Sequence, residues 1–198
     1  MSTPIPEMTL SGFLDSLGSR TPSPGGGAVA ALSGASGAGL LLMAAEFGKW
    51  DDGSPDPRPR MKALSSELLA LAQEDAEVYS VYSAARLKKD SDPAGYAKAV
   101  EAIAEVPAKF CERAIEALEM VPTIISHAPK WFACDIAIAS SGLENCATGG
   151  RLLSGINVAS LSGPARERMT ARLQEIEGRL EKVCRTNSPL LLRALPGK

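Results

Sequence analysis

Thr21–Lys49, TPSPGGGAVAALSGASGAGLLLMAAEFGK, decides the fold. Pro22 and Pro24 stiffen its entry, Gly25, Gly26 and Gly27 follow, and Ala28–Ala45 then runs for 18 residues without a charge. The run is rich in Ala and Leu, which predicts a helix. Three glycines let the backbone take unusual dihedrals and let a ligand approach the main chain. The free N–H groups and positive dipole end of the helix then face whatever sits against the glycines. Such a site suits an anionic or carbonyl-bearing ligand. A second reading stands beside it, a plain Pro-Gly connector into a buried helix. The stretch is not a Walker loop, because no Gly-Lys-Ser/Thr follows, and it is not GxGxxG after a strand.

A chain of 198 residues suits one domain, 1–198, with a sizeable core. Aromatics are 5% against 45% hydrophobic residues overall, so Ala, Leu and Gly must do most of the packing. That favours close-packed helices over a β-sandwich. A formal charge of -2 gives no sign of a nucleic-acid or anionic-membrane partner. Cys111, Cys134, Cys146 and Cys184 are widely spaced and read as reduced packing thiols, which suits a cytoplasmic location. With His127 as the one histidine, no metal site is expected, and a Ser-His-Asp triad would rest on it alone. MSTPIPEMTL lacks the pattern of a signal peptide. Ala28–Ala45 has the length of a membrane span. Its two serines and three glycines, without an aromatic belt or a second such segment, instead predict a buried helix.

Leu10, Phe13, Leu14 and Leu17 space a short amphipathic helix, with Thr9 as N-cap and Gly18 as stop. Trp50–Arg60 holds three prolines and reads as an exposed connector. From Met61 to about Lys89, steps of three and four link Met61, Leu64, Leu68, Leu71, Asp75, Val78 and Tyr82 into one seam. Asp75 is the acid in that seam: either it is desolvated and needs a partner, or it lies at the edge in water. Ser91-Asp92-Pro93 starts the next helix, which Pro107 should kink and Pro122 should end or bend. Lys130 to about Leu161 reads as a second buried helix, with Asp135 as the one charge before Glu144. Asp135 is either a buried functional acid or an N-terminal-turn residue favoured by the dipole. An outer helix starts after Ser162-Gly163-Pro164, and a leucine-rich tail follows Asn187-Ser188-Pro189. The fold class predicted is all-α, about five long antiparallel helices with a short N-terminal one.

TPSPGGGAVAALSGASGAGL resembles the signature of the cyclodeaminase/cyclohydrolase family, which includes the cyclodeaminase part of formimidoyltransferase-cyclodeaminase and small bacterial methenyltetrahydrofolate cyclohydrolases. Glu74-Asp75-Ala76 with Tyr79, Val106-Pro107, Cys134-Asp135 and Asn157 fall where that family carries comparable residues. The resemblance spans roughly Leu10 to Leu161. It implies a helical homodimer that acts on the bridging carbon between N5 and N10 of a tetrahydrofolate derivative, with no metal. One outcome is hydrolysis of 5,10-methenyltetrahydrofolate to 10-formyltetrahydrofolate; the other is loss of ammonia from 5-formiminotetrahydrofolate. Asp75 and Asp135 are then the catalytic pair, converging beneath the glycines, one as acid or base and one as electrostatic partner. Pro24, Gly25, Gly26, Gly27, Tyr79 and Asn157 are the substrate-binding residues.

The chain also departs from the family pattern. Glu46, Phe47, Gly48, Lys49 and Trp50 replace a lysine cluster after the first long helix, and Leu153 stands where an Asn is expected. The first change weakens the case for a polyglutamate tail. Together they favour two alternatives: an enzyme opening or cyclising another amidine- or iminium-like substrate, or a non-catalytic helical dimer.

Overall fold

A computed structural model describes residues 3–195. Within them lie seven α-helices: α1 (Leu10–Leu17), α2 (Gly26–Glu46), α3 (Arg58–Arg86), α4 (Pro93–Glu119), α5 (Val121–His127), α6 (Ala133–Val158) and α7 (Gly163–Ala194). The described residues contain no strand. The caps follow local chemistry. The Thr9 hydroxyl accepts the Gly12 N–H at 3.1 Å, and the Asp92 carboxylate accepts the Gly95 N–H at 2.9 Å.

Four helices form the central ring. α2 packs on α3 and α6, and α4 packs on the same two from the other side. Each is antiparallel to its neighbours. Gly34 lies against Cys146 and Gly37 against Leu143, while the C-terminal Phe47 meets Phe132 just before α6. α7 covers α4 and α6. It runs antiparallel to α6 but parallel to α4, since Arg172 pairs with Glu105 and Glu112 while Arg179 pairs with Glu119. The core is Ala-rich on α2 and fills with Phe110, Leu41, Met61, Leu64 and Leu68.

α2 is long and apolar enough to cross a membrane by composition, yet here it is a wall of the ring. Its closeness to α6 depends on missing side chains. A Cβ at Gly37 would stand 2.7 Å from the Ala139 carbonyl oxygen and 2.9 Å from Leu143 Cγ.

Some expectations need correction. Leu10 and Leu14 are exposed, so only Phe13 anchors α1 firmly. Trp131, Cys134 and Ile138 are exposed, so the start of α6 is not buried on every side, and Cys134 is not a packing thiol. Pro189 does not break the last helix. Pro122 has no N–H for the Leu118 carbonyl, and the buried Asn187 side chain donates to that oxygen instead, at 2.9 Å.

His127 has Ser126 Oγ 3.0 Å from its Nδ1, but that hydroxyl donates to the Thr123 carbonyl at 2.8 Å and not to the imidazole. Its ring stacks on Trp50 with centroids 4.5 Å apart, and its nitrogens reach Asp52 Oδ2 at 2.9 Å and the Thr123 carbonyl at 2.8 Å. These contacts raise its pKa and tie the Trp50–Arg60 connector to the end of α5.

Gly37→Ala tests the α2–α6 approach. Helix propensity alone would stabilise the variant by roughly 1 kcal/mol. The clash with α6 backbone is expected to outweigh that, for a net loss of about 1–2 kcal/mol in chemical denaturation. A gain in stability would contradict the close packing.

Candidate active site

The α3 seam explains where the cavity lies. Met61, Leu64, Leu68 and Leu71 are buried against α2. α2 begins only at Gly26, so the seam runs out of partner just as it reaches Asp75. The continuation of the seam, Asp75, Val78 and Tyr82, lines a cavity of about 210 Å³. Pro22, Ser23, Gly25, Gly26 and Gly27 close it from the loop, Ile103 and Pro107 from α4, and Leu153 and Asn157 from α6. Each helix of the central ring therefore contributes.

Asp75 lies directly against the start of α2. A Cβ built on Gly27 would overlap both of its carboxylate oxygens, so only glycine leaves them room. Burial pushes the Asp75 pKa up from 3.8 to about 6, opposed by the Ala28 N–H, which favours the ionised form. No side chain caps α2 at Gly25, so its first N–H groups remain available to the carboxylate or to a ligand. A carboxyl that titrates near neutrality suits proton transfer.

Asn157 is held by a proline. Pro107 cannot donate to the Ile103 carbonyl one turn back, and Asn157 Nδ2 donates to it at 2.6 Å. The amide orientation follows, because a carbonyl only accepts. Asn157 thus has its amide nitrogen committed to α4, and its oxygen remains to accept from a ligand. Ser154 reinforces the contact, donating to the Ala104 carbonyl at 2.6 Å.

The structure brings together Asp75, Gly25, Gly26, Gly27, Tyr79 and Asn157. Pro24, joined to Ser23 by a cis peptide, lines a neighbouring cavity of about 410 Å³ that shares Pro22, Ser23 and Tyr79. Asp135 does not join them. It occupies the first turn of α6, while Asn157 is in its last turn. Twenty-two residues of helix separate the two by about 33 Å. Convergence of both acids beneath the glycines is therefore corrected within one chain: α2 and α6 are antiparallel, so Asp135 lies by the far end of α2. Tyr82, Val78, Ile103 and Leu153 are further wall residues of the cavity. The seam spacing was the available signal for Val78 and Tyr82. Among the described residues no group of His, Cys, Asp and Glu is placed to hold a metal.

The cavity thus sets one desolvated carboxylate against a glycine-rich helix start. Residues 9–175 match the formiminotransferase-cyclodeaminase family, and the chain belongs to that family. It is 29% identical over 190 residues to methenyltetrahydrofolate cyclohydrolase of Methylorubrum extorquens, covering 87% of this chain and 88% of that protein. A 51-residue match at 49% identity joins it to formimidoyltransferase-cyclodeaminase of Dictyostelium discoideum, covering 25% of this chain and 10% of that much longer protein. The fold matches the crystal structure of formiminotetrahydrofolate cyclodeaminase from Thermotoga maritima, with a TM-score of 0.84 over 94% of this chain and 97% of that one, at 23% identity. The family is one of folate-related cyclodeaminases and cyclohydrolases.

Asp75→Asn separates stability from function. A folded pKa raised above the unfolded value gives a contribution present at low pH and lost as pH rises through about 6. The amide mimics the neutral acid, so at pH 8 the variant is expected to be more stable by on the order of 2 kcal/mol. Near pH 3.5 the difference should vanish. Equal stability at both pH values would show that Asp75 is hydrated.

Proposed function

We propose that the protein hydrolyses 5,10-methenyltetrahydrofolate to 10-formyltetrahydrofolate, with Asp75 as the proton-transfer group. The observation that carries the reading is a lone desolvated carboxylate at the N-terminal end of α2. The end-to-end match in length and sequence to a cyclohydrolase also supports it.

The chemistry asks little of the protein. The bridging carbon lies between two nitrogens and carries positive charge, which ionised Asp75 stabilises in a low dielectric. Water adds to that carbon and passes a proton to Asp75. The carbon–N5 bond then breaks as Asp75 returns the proton to N5, and the remaining hydroxyl releases its proton to solvent water to give the formyl group. One carboxylate acts as base and then as acid. Release of ammonia from a formimino group would use the same base-then-acid sequence, so the choice of hydrolysis rests on the likeness to a cyclohydrolase over 87% of this chain and 88% of that protein. The reaction needs nothing from Asp135.

Leu153 favours a second reading. An apolar wall at that point suits an amidine- or iminium-like substrate other than a folate, processed by the same acid.

Loss of methenyltetrahydrofolate absorbance decides between them. Turnover above the buffer rate is expected, falling by about 10²-fold or more in Asp75→Asn. Full activity in that variant, or none in the parent protein, would overturn the proposal.

We also propose a homodimer formed through the outer face of α2 and α6, where Met43, Phe47, Trp131 and Ile138 are exposed. Phe47, just after α2, and Trp131, just before α6, already touch, with centroids 5.5 Å apart, so the patch bridges that end of the two helices. Sedimentation should give a dimer, and Ile138→Glu with Trp131→Glu a monomer. A monomeric parent protein would exclude the assembly.

A further inference from the structure

The Trp50–Arg60 connector and the end of α5 meet at the chain's one histidine. The His127 imidazole is 14% exposed and lies over the Trp50 indole, with ring planes 19° apart. Its Nε2 is 2.9 Å from Asp52 Oδ2, and its Nδ1 is 2.8 Å from the Thr123 carbonyl oxygen. A carboxylate and a carbonyl can only accept. A neutral imidazole has one N–H, so either tautomer sets a ring lone pair against an oxygen. Only the imidazolium donates in both directions, and it also gains from the indole face beside it.

The charged groups that act on the ring are Asp52 and Asp51, both on the connector. From α5 it meets the neutral Thr123 carbonyl and Ser126 hydroxyl. Asp52 stays ionised near neutrality, because the Ser54 N–H first and His127 second hold its carboxyl down at about 2. Loss of the imidazole proton therefore turns one of the two contacts into a repulsion. Thr123 lies one turn back on the same helix, so α5 fixes that contact. Asp52 is 75 residues away in sequence, on an exposed loop with three prolines and a glycine at φ 86°. That contact is the one free to open.

We infer that His127 is a proton-operated latch: protonated, it fastens the connector between α2 and α3 to the end of α5, and deprotonated, it releases the connector at Asp52. The Thr123 carbonyl and then Asp52 raise the ring's pKa above its ordinary 6.5. The fastening is therefore complete below 6.5 and is lost as pH rises through the folded value. The latch is at the opposite end of α2 from Asp75, about 30 Å along the helix. It is thus a second pH-sensitive element, separate from the cavity.

The test follows the ring and the loop independently. Proton nuclear magnetic resonance reads the one histidine without assignment. A nitroxide on Pro55→Cys, with Cys134→Ser and Cys184→Ser, reports connector mobility by electron paramagnetic resonance. The mobile fraction is expected to rise about fivefold between about pH 5 and pH 9, with the midpoint of the imidazole titration. Asp52→Ala and His127→Gln should leave the connector mobile at both ends of the range. Asp75→Asn should keep the step. Circular dichroism confirms that the variants fold. A ring that titrates while the label stays immobile would overturn the inference, since Ser126 would then be turning to serve the neutral ring. So would a step that survives Asp52→Ala, or one that disappears in Asp75→Asn.

Discussion

Everything about this site follows from one contact, the carboxylate of Asp75 held against the first turn of α2. A carboxylate taken out of water must be compensated or must take up a proton. Here the compensation is partial. An amide N–H faces it, no cation does, and its pKa settles near 6. The same contact fixes its neighbours. Position 27 has no room for a side chain, and the chain must enter α2 through a loop that doubles as the cavity wall. The carboxylate is reactive because the packing around it leaves its charge only partly satisfied.

The cavity is shaped as much by what prolines remove as by what side chains add. Pro107 deletes one hydrogen bond in the middle of α4, and the freed carbonyl of Ile103 binds Asn157. Pro122 frees the Leu118 carbonyl in the same way, and Asn187 answers it. In both places a proline on one helix sets an asparagine on another. The first instance orients a residue of the site; the second fastens α7 to the end of α4. A chain this rich in alanine has few large side chains to lock helices in register, and these polar cross-links supply register directly.

The helices were legible in the sequence because their signals are local. The charge-free run after Gly27, the seam through Met61 and Leu71, and the Thr9 and Asp92 caps each depend on a few neighbouring residues. Asp75 was legible because an acid interrupted an apolar period. Asp135 gave a similar signal with a different cause: an acid in the first turn of a helix whose outer side is uncovered. Spacing along α6 could not show which end faces Asp75, since that depends on the antiparallel packing of α2 and α6. The role of Pro107 was half legible. A break in hydrogen bonding was readable, but its answer by Asn157, fifty residues on, required the fold.

The proposed chemistry stands or falls on the protonation of one side chain. Carboxyl-carbon nuclear magnetic resonance on selectively labelled aspartate, assigned with Asp75→Asn, follows that group directly across pH. A midpoint near 6 for Asp75, against an ordinary 3.8, is the result the structure requires. A midpoint at or below the ordinary value would mean that the carboxylate is well solvated or paired, and no neutral-pH proton transfer could then be assigned to it.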